Sequence, residues 1–211
     1  MPSSRNDRDT ALQHFKSVDK RFHDATKANH AALPLILENK RTTAALFESL
    51  IRIVTSQQLA TKAASSIFVR VKEVCKGSLT PESILRVRES SFRKAGLSGS
   101  KIKTIKEIAK AVKNKKLDLL SLKRIPEGEA SEKLQEIWGL GPWSSEMFLM
   151  FSLGRGDVFS VGDLGLIRAI ETIYGLPKNA PRTSLLAIAE KWSPHRTYAC
   201  LLLWLTRDEK K

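Results

Sequence analysis

Asp163 is the side chain in this sequence best placed to take part in a reaction. It directly precedes an apolar periodic stretch containing Leu164, Ile167 and Ile170, which predicts a helix that begins at about residue 164. An aspartate at that position can cap the helix by accepting backbone N–H hydrogen bonds. A fixed carboxylate can instead stabilise a positive charge that develops during a reaction. The position alone favours the capping role, so a catalytic role must be supported by other features of the chain.

A second group of residues, Gly139-Leu140-Gly141-Pro142, predicts a tight turn within a helical hairpin at about residues 130–153. Both glycines are expected to let the backbone turn, and the proline is expected to start the second helix. Backbone N–H groups at a helix N-terminus form a site for phosphate, to which Ser144 could add a hydroxyl donor. An ordinary connection between packed helices is the alternative interpretation.

The charge of the chain favours a polyanionic partner. Its 211 residues include 36 Lys and Arg against 22 Asp and Glu, which gives a net charge of +14. A field of this sign attracts polyanions and speeds their capture. Nucleic acid is therefore the expected partner, with a merely soluble basic protein or a membrane-surface role as the alternatives.

Neither the cysteines nor the apolar runs indicate a metal cluster, a disulfide framework or a membrane span. Cys75 and Cys200 stand alone, without C-x-x-C spacing or a neighbouring pair of histidines. The longest apolar runs, around Met147–Leu153 and Tyr198–Leu205, are far shorter than the ~18 residues of a membrane span. Residues 1–9 are polar and lack the apolar core of a signal peptide. These features predict a soluble intracellular protein.

Helical periodicity extends along most of the chain, and no strand pair with hairpin turn chemistry is evident, so the predicted fold class is all-α. A loose polar tail is expected at residues 1–10, followed by a folded domain at residues 11–211. Apolar residues from Leu46 to Val74 predict one long helix, or two helices separated near Ser56–Leu59. Thr80-Pro81 predicts the capped start of another helix.

The same spacing predicts the later helices. An amphipathic stripe runs from Ile102 to Val112, and Gly96 can end the short helix before it. Trp143 stands four residues before Met147, a spacing that predicts a buried position in the core. A loop through Ser160 precedes the helix that follows Asp163, and a pair of helices ends the chain.

Several motifs in order resemble the helix-hairpin-helix DNA glycosylases, specifically the alkylpurine branch known as DNA-3-methyladenine glycosylase II. The stretch from Leu134 to Gly165 resembles the signature of that family, and Ser56-Gln57-Gln58-Leu59-Ala60 and Gly96-Leu97-Ser98 agree with it. Towards the C-terminus the agreement continues from Trp192 to Trp204, so the resemblance covers roughly residues 40–205. It implies an all-α, two-lobed helical bundle with a helix-hairpin-helix motif at the mouth of a cleft between the lobes.

The resemblance also implies how such a protein would bind DNA as a monomer, with damaged or abasic duplex DNA as its partner. The hairpin would grip phosphates, and Gln58 and Leu59 would form the wedge that fills the space left by a flipped nucleotide. The family often holds a structural monovalent cation on hairpin carbonyls and requires no other cofactor. The residues implied for phosphate binding are Gly139, Gly141 and Ser144, and those implied for the cation are Gln135, Ile137 and Leu140.

The catalytic aspartate of the family falls on Asp163, facing the pocket for the flipped nucleotide. An alkylated purine already carries positive charge, so its departure needs little protonation, and one carboxylate can stabilise the sugar cation and orient water. Related enzymes that also cut the strand use a lysine two residues after the second glycine, where this chain has Trp143. The implied activity is therefore a monofunctional, 3-methyladenine type glycosylase of DNA repair, acting in the nucleus if the organism is eukaryotic.

The sequence departs from the family in the loop before Asp163. The family commonly has proline where this chain has Gly156 and Ser160, and Gly162 directly precedes the aspartate. These residues are expected to loosen the loop and weaken catalysis. A second hypothesis is therefore a glycosylase-like protein that binds damaged or abasic DNA with weak or no base excision. A third is a generic helix-hairpin-helix module within a larger repair assembly.

Overall fold

The computed structural model describes residues 7–34 and 39–208, and within these ranges it contains helices and no strand. The predicted all-α fold class is confirmed. No helix in the described ranges combines the length and the apolar composition needed to cross a membrane. The α-helices are α1 (Asp7–Val18), α2 (Lys20–Ala25), α3 (Thr43–Ser56), α4 (Thr61–Val74), α5 (Pro81–Arg86), α6 (Glu89–Ala95), α7 (Gly99–Lys113), α8 (Glu127–Gln135), α9 (Pro142–Phe151), α10 (Leu164–Tyr174), α11 (Arg182–Glu190) and α12 (Arg196–Asp208), and two 3₁₀ helices cover Lys27–Ala32 and Ser121–Lys123.

The chain divides into two compact units. The terminal unit combines Met1–Glu38 with Gly154–Lys211, and the central unit is Asn39–Leu153. The loose tail predicted at residues 1–10 is wrong for residues 7–10, which belong to α1, while residues 1–6 lie outside the described ranges. Helix α1 forms because Ala11 and Phe15 are fully buried one turn apart, which stabilises the helix in spite of its polar start.

The central unit is built around α3. Leu46, Leu50 and Val54 are fully buried on one face of this helix, at the spacing that the sequence predicts. Helix α3 packs against α4, α7 and α9. The backbone leaves the helical conformation between Ser56 and Thr61, so the two-helix alternative for this stretch is correct.

Local capping chemistry sets several helix boundaries in the central unit. Thr80 Oγ1 accepts the Ser83 N–H at 3.1 Å while Ser83 Oγ accepts the Thr80 N–H at 3.0 Å, and Pro81 is the first residue of α5. Gly96 ends α6 as predicted, and Ser98 begins α7 by accepting the Lys101 N–H at 3.3 Å. These boundaries follow from residues within one helical turn of each other.

The terminal unit has an aromatic core. The ring of Phe22 lies 5.2 Å from that of Phe15 and 4.5 Å from that of Trp192, measured between centroids. Asp19, which is 7% exposed, accepts hydrogen bonds from Trp192 Nε1 at 3.2 Å and from the Tyr174 hydroxyl. Helix α10 packs against α12, and this packing brings residues of the two helices together around Asp163.

Candidate phosphate-binding hairpin and catalytic carboxylate

The two glycines of the hairpin turn play different parts. Gly139 has a φ of +86°, a left-handed conformation that side chains other than glycine adopt at a cost. A Cβ atom at Gly139 would also lie 2.0 Å from Thr104 Oγ1 of α7, so the close packing of α7 excludes any side chain. Gly141 has a φ of −98° and a ψ of −176°, which any residue adopts. The prediction that both glycines serve the turn is therefore wrong for Gly141.

The space beside Gly141 is open. A Cβ atom there would meet no other atom within 4 Å, and Gly141 is the N-cap of α9 without a side-chain capping bond. Pro142 occupies the first position of the helix, as predicted. Because the first turn of an α-helix leaves its N–H groups without intrahelical partners, this end of α9 presents donors and a positive helix dipole. Its chemistry suits an anion such as a phosphate.

The surrounding charge agrees with that chemistry. The central unit contains 21 Lys and Arg against 11 Asp and Glu, whereas the terminal unit contains 15 against 11. Most of the positive charge of the chain therefore belongs to the unit that carries the hairpin.

Ser144 does not present its side chain to the surface. It is 2% exposed, and its Oγ accepts a hydrogen bond from Gln57 Nε2 at 2.7 Å. The hydroxyl predicted to contact DNA is instead packed against the segment that follows α3. The backbone N–H of Ser144, in the first turn of α9, is the donor of this residue that fits an anion site.

The segment between α3 and α4 is tied to the hairpin at one end and exposed at the other. Gln57 Nε2 also donates to Gly139 O at 3.3 Å, in addition to its bond with Ser144. Gln58 has a left-handed φ of +56°, and its side chain is exposed together with that of Leu59, which is 39% exposed. The two residues predicted to form a wedge thus project from a backbone that Gln57 anchors.

Lys101 of α7 supports the same segment from below. Its ammonium donates to the carbonyl oxygens of Thr55 at 2.8 Å and Gln57 at 2.7 Å. Lys101 thereby caps the C-terminal end of α3. Burial lowers the pKa of Lys101. The two carbonyl contacts of Lys101 therefore hold the backbone of the segment between α3 and α4 in place.

The backbone at the end of α8 offers carbonyl oxygens. Ile137 O accepts the Leu140 N–H at 3.0 Å, while no hydrogen bond to Gln135 O or Leu140 O is found among the described residues. Carbonyl oxygens near the C-terminus of a helix carry partial negative charge, which suits a cation. Within the described ranges no group of three His, Cys, Asp or Glu residues could hold a metal ion.

Asp163 caps α10 and also contacts α12. Its Oδ1 accepts the Leu166 N–H at 3.0 Å and Trp204 Nε1 at 3.1 Å, and the side chain is partly buried. Leu164, the next residue, is 70% exposed. The capping role is therefore present, and the indole donor adds a second restraint that capping does not require. Two donors on one oxygen hold the carboxylate in a defined orientation.

The loop before Asp163 is held by the start of α12. Asp157 accepts Arg196 Nε at 2.8 Å and Nη2 at 2.9 Å, and it accepts Ser193 Oγ at 2.8 Å. Burial acts against ionisation of this carboxyl, but the bonds from Arg196 and Ser193 outweigh it and lower the pKa of Asp157. A bidentate pair of this kind adds geometric restraint as well as energy.

Further bonds restrain the backbone on both sides of Asp157. Thr197 Oγ1 donates to Arg155 O at 2.7 Å and accepts the Val158 N–H at 3.1 Å, and the Thr197 N–H donates to Gly156 O at 3.0 Å. Ser160 is fully buried. The flexibility expected from Gly156 and Ser160 is therefore opposed by hydrogen bonds that restrain the loop backbone, as prolines would.

The sequence does not reveal several positioning residues of the site, because their partners lie far away along the chain. These residues are Gln57, Lys101, Thr104 and Arg196. Trp143, predicted to be buried, is only partly so. Helical spacing shows which side of a helix faces inward, but it does not show which distant residue lies there.

Comparison with known proteins places these features in a family. A model described as HhH-GPD superfamily base excision DNA repair protein matches residues 51–195. This range includes the hairpin, the Gln57–Leu59 segment and Asp163. DNA-3-methyladenine glycosylase 1 of Schizosaccharomyces pombe is 37% identical over 163 residues, which are 76% of this chain and 72% of that protein.

Solved structures agree with this match. A DNA-3-methyladenine glycosidase from Bacillus halodurans has a TM-score of 0.77 at 35% identity, and the match covers 93% of this chain and 88% of that chain. The 3-methyladenine DNA glycosylase of Schizosaccharomyces pombe in complex with abasic DNA has a TM-score of 0.78 at 32% identity, covering 92% of this chain and 95% of that chain. The similarity therefore extends over nearly the whole fold.

Proposed function

Because the chain belongs to the HhH-GPD superfamily of base excision DNA repair proteins, we propose that it is a monofunctional DNA glycosylase for alkylated purines of the 3-methyladenine type. The observation that carries the proposal is the similarity, over nearly the full length of both chains, to a 3-methyladenine DNA glycosylase bound to abasic DNA. Duplex DNA with damaged or abasic nucleotides is the partner. The site of action is inside the cell with the DNA, and in the nucleus if the organism is eukaryotic.

In this proposal Asp163 is the catalytic residue. Its carboxylate stabilises the oxocarbenium-like sugar and orients the attacking water. The water oxygen bonds to C1′ as the N-glycosidic bond breaks, and the bond electrons neutralise the cationic purine. The proton of the water passes first to the carboxylate. The bonds from Leu166 and Trp204 support this role, since both hold Oδ1 in place.

The hairpin is the proposed phosphate site. Gly141 leaves open space in front of the N-terminus of α9, where the backbone N–H groups can receive a phosphate. Gly139 serves this site indirectly, because it allows the turn to pack against Thr104. Phosphate contacts of this kind position a protein on DNA without reading the base sequence.

Two further assignments belong to the proposal. Gln58 and Leu59 fill the space left by the flipped nucleotide, supported by their exposure on a segment that Gln57 and Lys101 anchor. The carbonyl oxygens of Gln135, Ile137 and Leu140 would hold a monovalent cation. Such a cation would neutralise part of the phosphate charge at the hairpin, and no other cofactor is required.

Base release from methylated duplex DNA is the test of the proposed activity. Wild-type protein should release free methylated purine and leave an uncut abasic strand, since Trp143 replaces the amine nucleophile of strand-cutting relatives. Immediate strand cleavage would contradict the monofunctional assignment. Release that is equally fast with the Asp163→Asn variant would contradict the role of Asp163.

The second candidate is a protein that binds damaged or abasic DNA with weak or no excision. The reason for considering it is that Gly156 and Ser160 replace two prolines of the family in the loop before Asp163. The hydrogen bonds of Asp157 and Thr197 weaken the case for this candidate, because they restrain the same loop. Tight binding to an abasic-site analogue without release of methylated base would favour this candidate over the enzyme.

A further inference from the structure

An exposed tryptophan stands directly beside the proposed phosphate site. Trp138 precedes Gly139 in the hairpin turn and is 46% exposed. Lys103 of α7 places its ammonium 4.0 Å from the centre of the indole ring. An indole combines a large apolar ring with a polar N–H, and tryptophan is enriched at interfaces for that reason. This pair is not explained by the turn geometry, which depends on Gly139 and Thr104.

The charge of Lys103 is available to a partner. No ion pair to this lysine is found among the described residues, and its side chain is exposed. The acidic residue one turn further along α7, Glu107, is paired with Lys110 at 2.8 Å. A cation–π contact at an exposed site contributes about 0.5–1 kcal/mol, so it orients the ammonium without neutralising it.

We propose that Trp138 and Lys103 form an additional DNA-backbone contact beside the hairpin, in which Lys103 binds a phosphate and Trp138 packs on the adjoining deoxyribose. The inference rests on the proposed function, because it assumes that the N-terminus of α9 holds a phosphate. Trp138 lies three residues before Gly141, the N-cap of α9, so the pair stands close to the proposed phosphate site. A flat apolar ring with a cation on its face matches the alternation of sugar and phosphate along a strand.

The charged half of the contact has a sharp signature in salt. Each phosphate contact contributes about 0.9 to the slope of log affinity against log salt for B-form DNA. When salt rises from 50 to 200 mM, the fold-loss of DNA affinity should therefore be about three times smaller for Lys103→Gln than for wild type. Lys113→Gln is the matched control, because Lys113 is exposed on the same helix about 15 Å further along. Its salt dependence should equal that of wild type.

The apolar half is tested by Trp138→Ala on duplex DNA containing an abasic-site analogue. Its affinity should fall by about three- to tenfold with an unchanged salt slope, because the indole carries no charge. If Trp138→Ala fails to fold, the exposed Lys103→Gln variant decides the proposal alone.

The outcomes separate this inference from the proposed function. A wild-type protein that does not bind duplex DNA refutes both. A wild-type protein that binds and excises, together with a Lys103→Gln variant whose salt slope is unchanged, refutes only the additional contact. A reduced slope for Lys103→Gln, with Lys113→Gln unchanged, supports it.

Discussion

Replacement of the two hairpin glycines by alanine should separate folding from DNA binding. At Gly139 the left-handed backbone costs a residue with a Cβ atom about 1–2 kcal/mol. The new methyl group would also lie 2.0 Å from Thr104 Oγ1 and 2.9 Å from two carbon atoms of Thr104, and such overpacking costs about 1–3 kcal/mol. Gly139→Ala should therefore lower the free energy of unfolding by about 2–5 kcal/mol.

Gly141→Ala should behave in the opposite way. Its backbone is unstrained and no atom lies within 4 Å of the new Cβ, so only the poorer N-cap propensity of alanine acts, at about 1 kcal/mol or less. The methyl group would occupy the space proposed for a phosphate. Loss of hydrogen bonds to a charged group costs about 1.5–3 kcal/mol, so affinity for duplex DNA should fall by about 10- to 100-fold.

Thermal unfolding followed by circular dichroism and DNA titration by fluorescence anisotropy measure the two effects. For a chain of this size 1 kcal/mol shifts Tm by about 2–4 °C, so Gly139→Ala should lower Tm by roughly 4–20 °C. Thr104→Ala combined with Gly139→Ala should recover part of that loss, because the closest contact disappears. A Gly139→Ala variant as stable as wild type, or a Gly141→Ala variant that binds DNA normally, would refute the assignment of separate roles.

Three further predictions concern Asp163 and its loop. Asp163→Asn should abolish base release while keeping or improving DNA affinity, since asparagine still caps a helix and removes a negative charge; turnover at the wild-type rate would leave only a capping role. The lowered pKa of Asp157 means that its ionised form stabilises the folded state above the unfolded pKa of about 3.9, and that this stabilisation is lost as pH falls through the folded pKa. The free energy of unfolding measured in urea should therefore fall more steeply below about pH 4 for wild type than for Asp157→Asn. Parallel pH curves for the two proteins would contradict the ion pair with Arg196. Gly156→Pro should leave the single-turnover rate of base release unchanged, because hydrogen bonds already hold the loop. A clear increase in that rate would support the flexible-loop interpretation instead.

The sequence was sufficient for the features that depend on near neighbours. The cap at Thr80-Pro81, the start of α9 at Pro142 and the start of α10 after Asp163 all follow from residues within one helical turn. Helical spacing also identified the buried face of α3. These features are predictable because capping and periodicity are local properties, which a single chain displays in its order of residues.

The order of motifs likewise sufficed for the family, which the comparisons then confirmed. Motif order carries this information because a hairpin turn and the aspartate after it must occur at set places along the chain. It could not separate the roles of Gly139 and Gly141, since both are glycines in one turn. Their roles differ only through φ and through the presence of Thr104 beside one of them.

Tertiary structure alone decided how the functional groups are held. Gln57 reaches Ser144 across 87 residues of sequence, Trp204 reaches Asp163 across 41, and Arg196 reaches Asp157 across 39. Each of these bonds joins a residue outside the helices to a side chain on a helix distant in sequence, and its geometry depends on how the elements pack. Spacing along the chain gives the inward face of a helix but not its neighbour, because packing partners are chosen by the shape and polarity of the whole core.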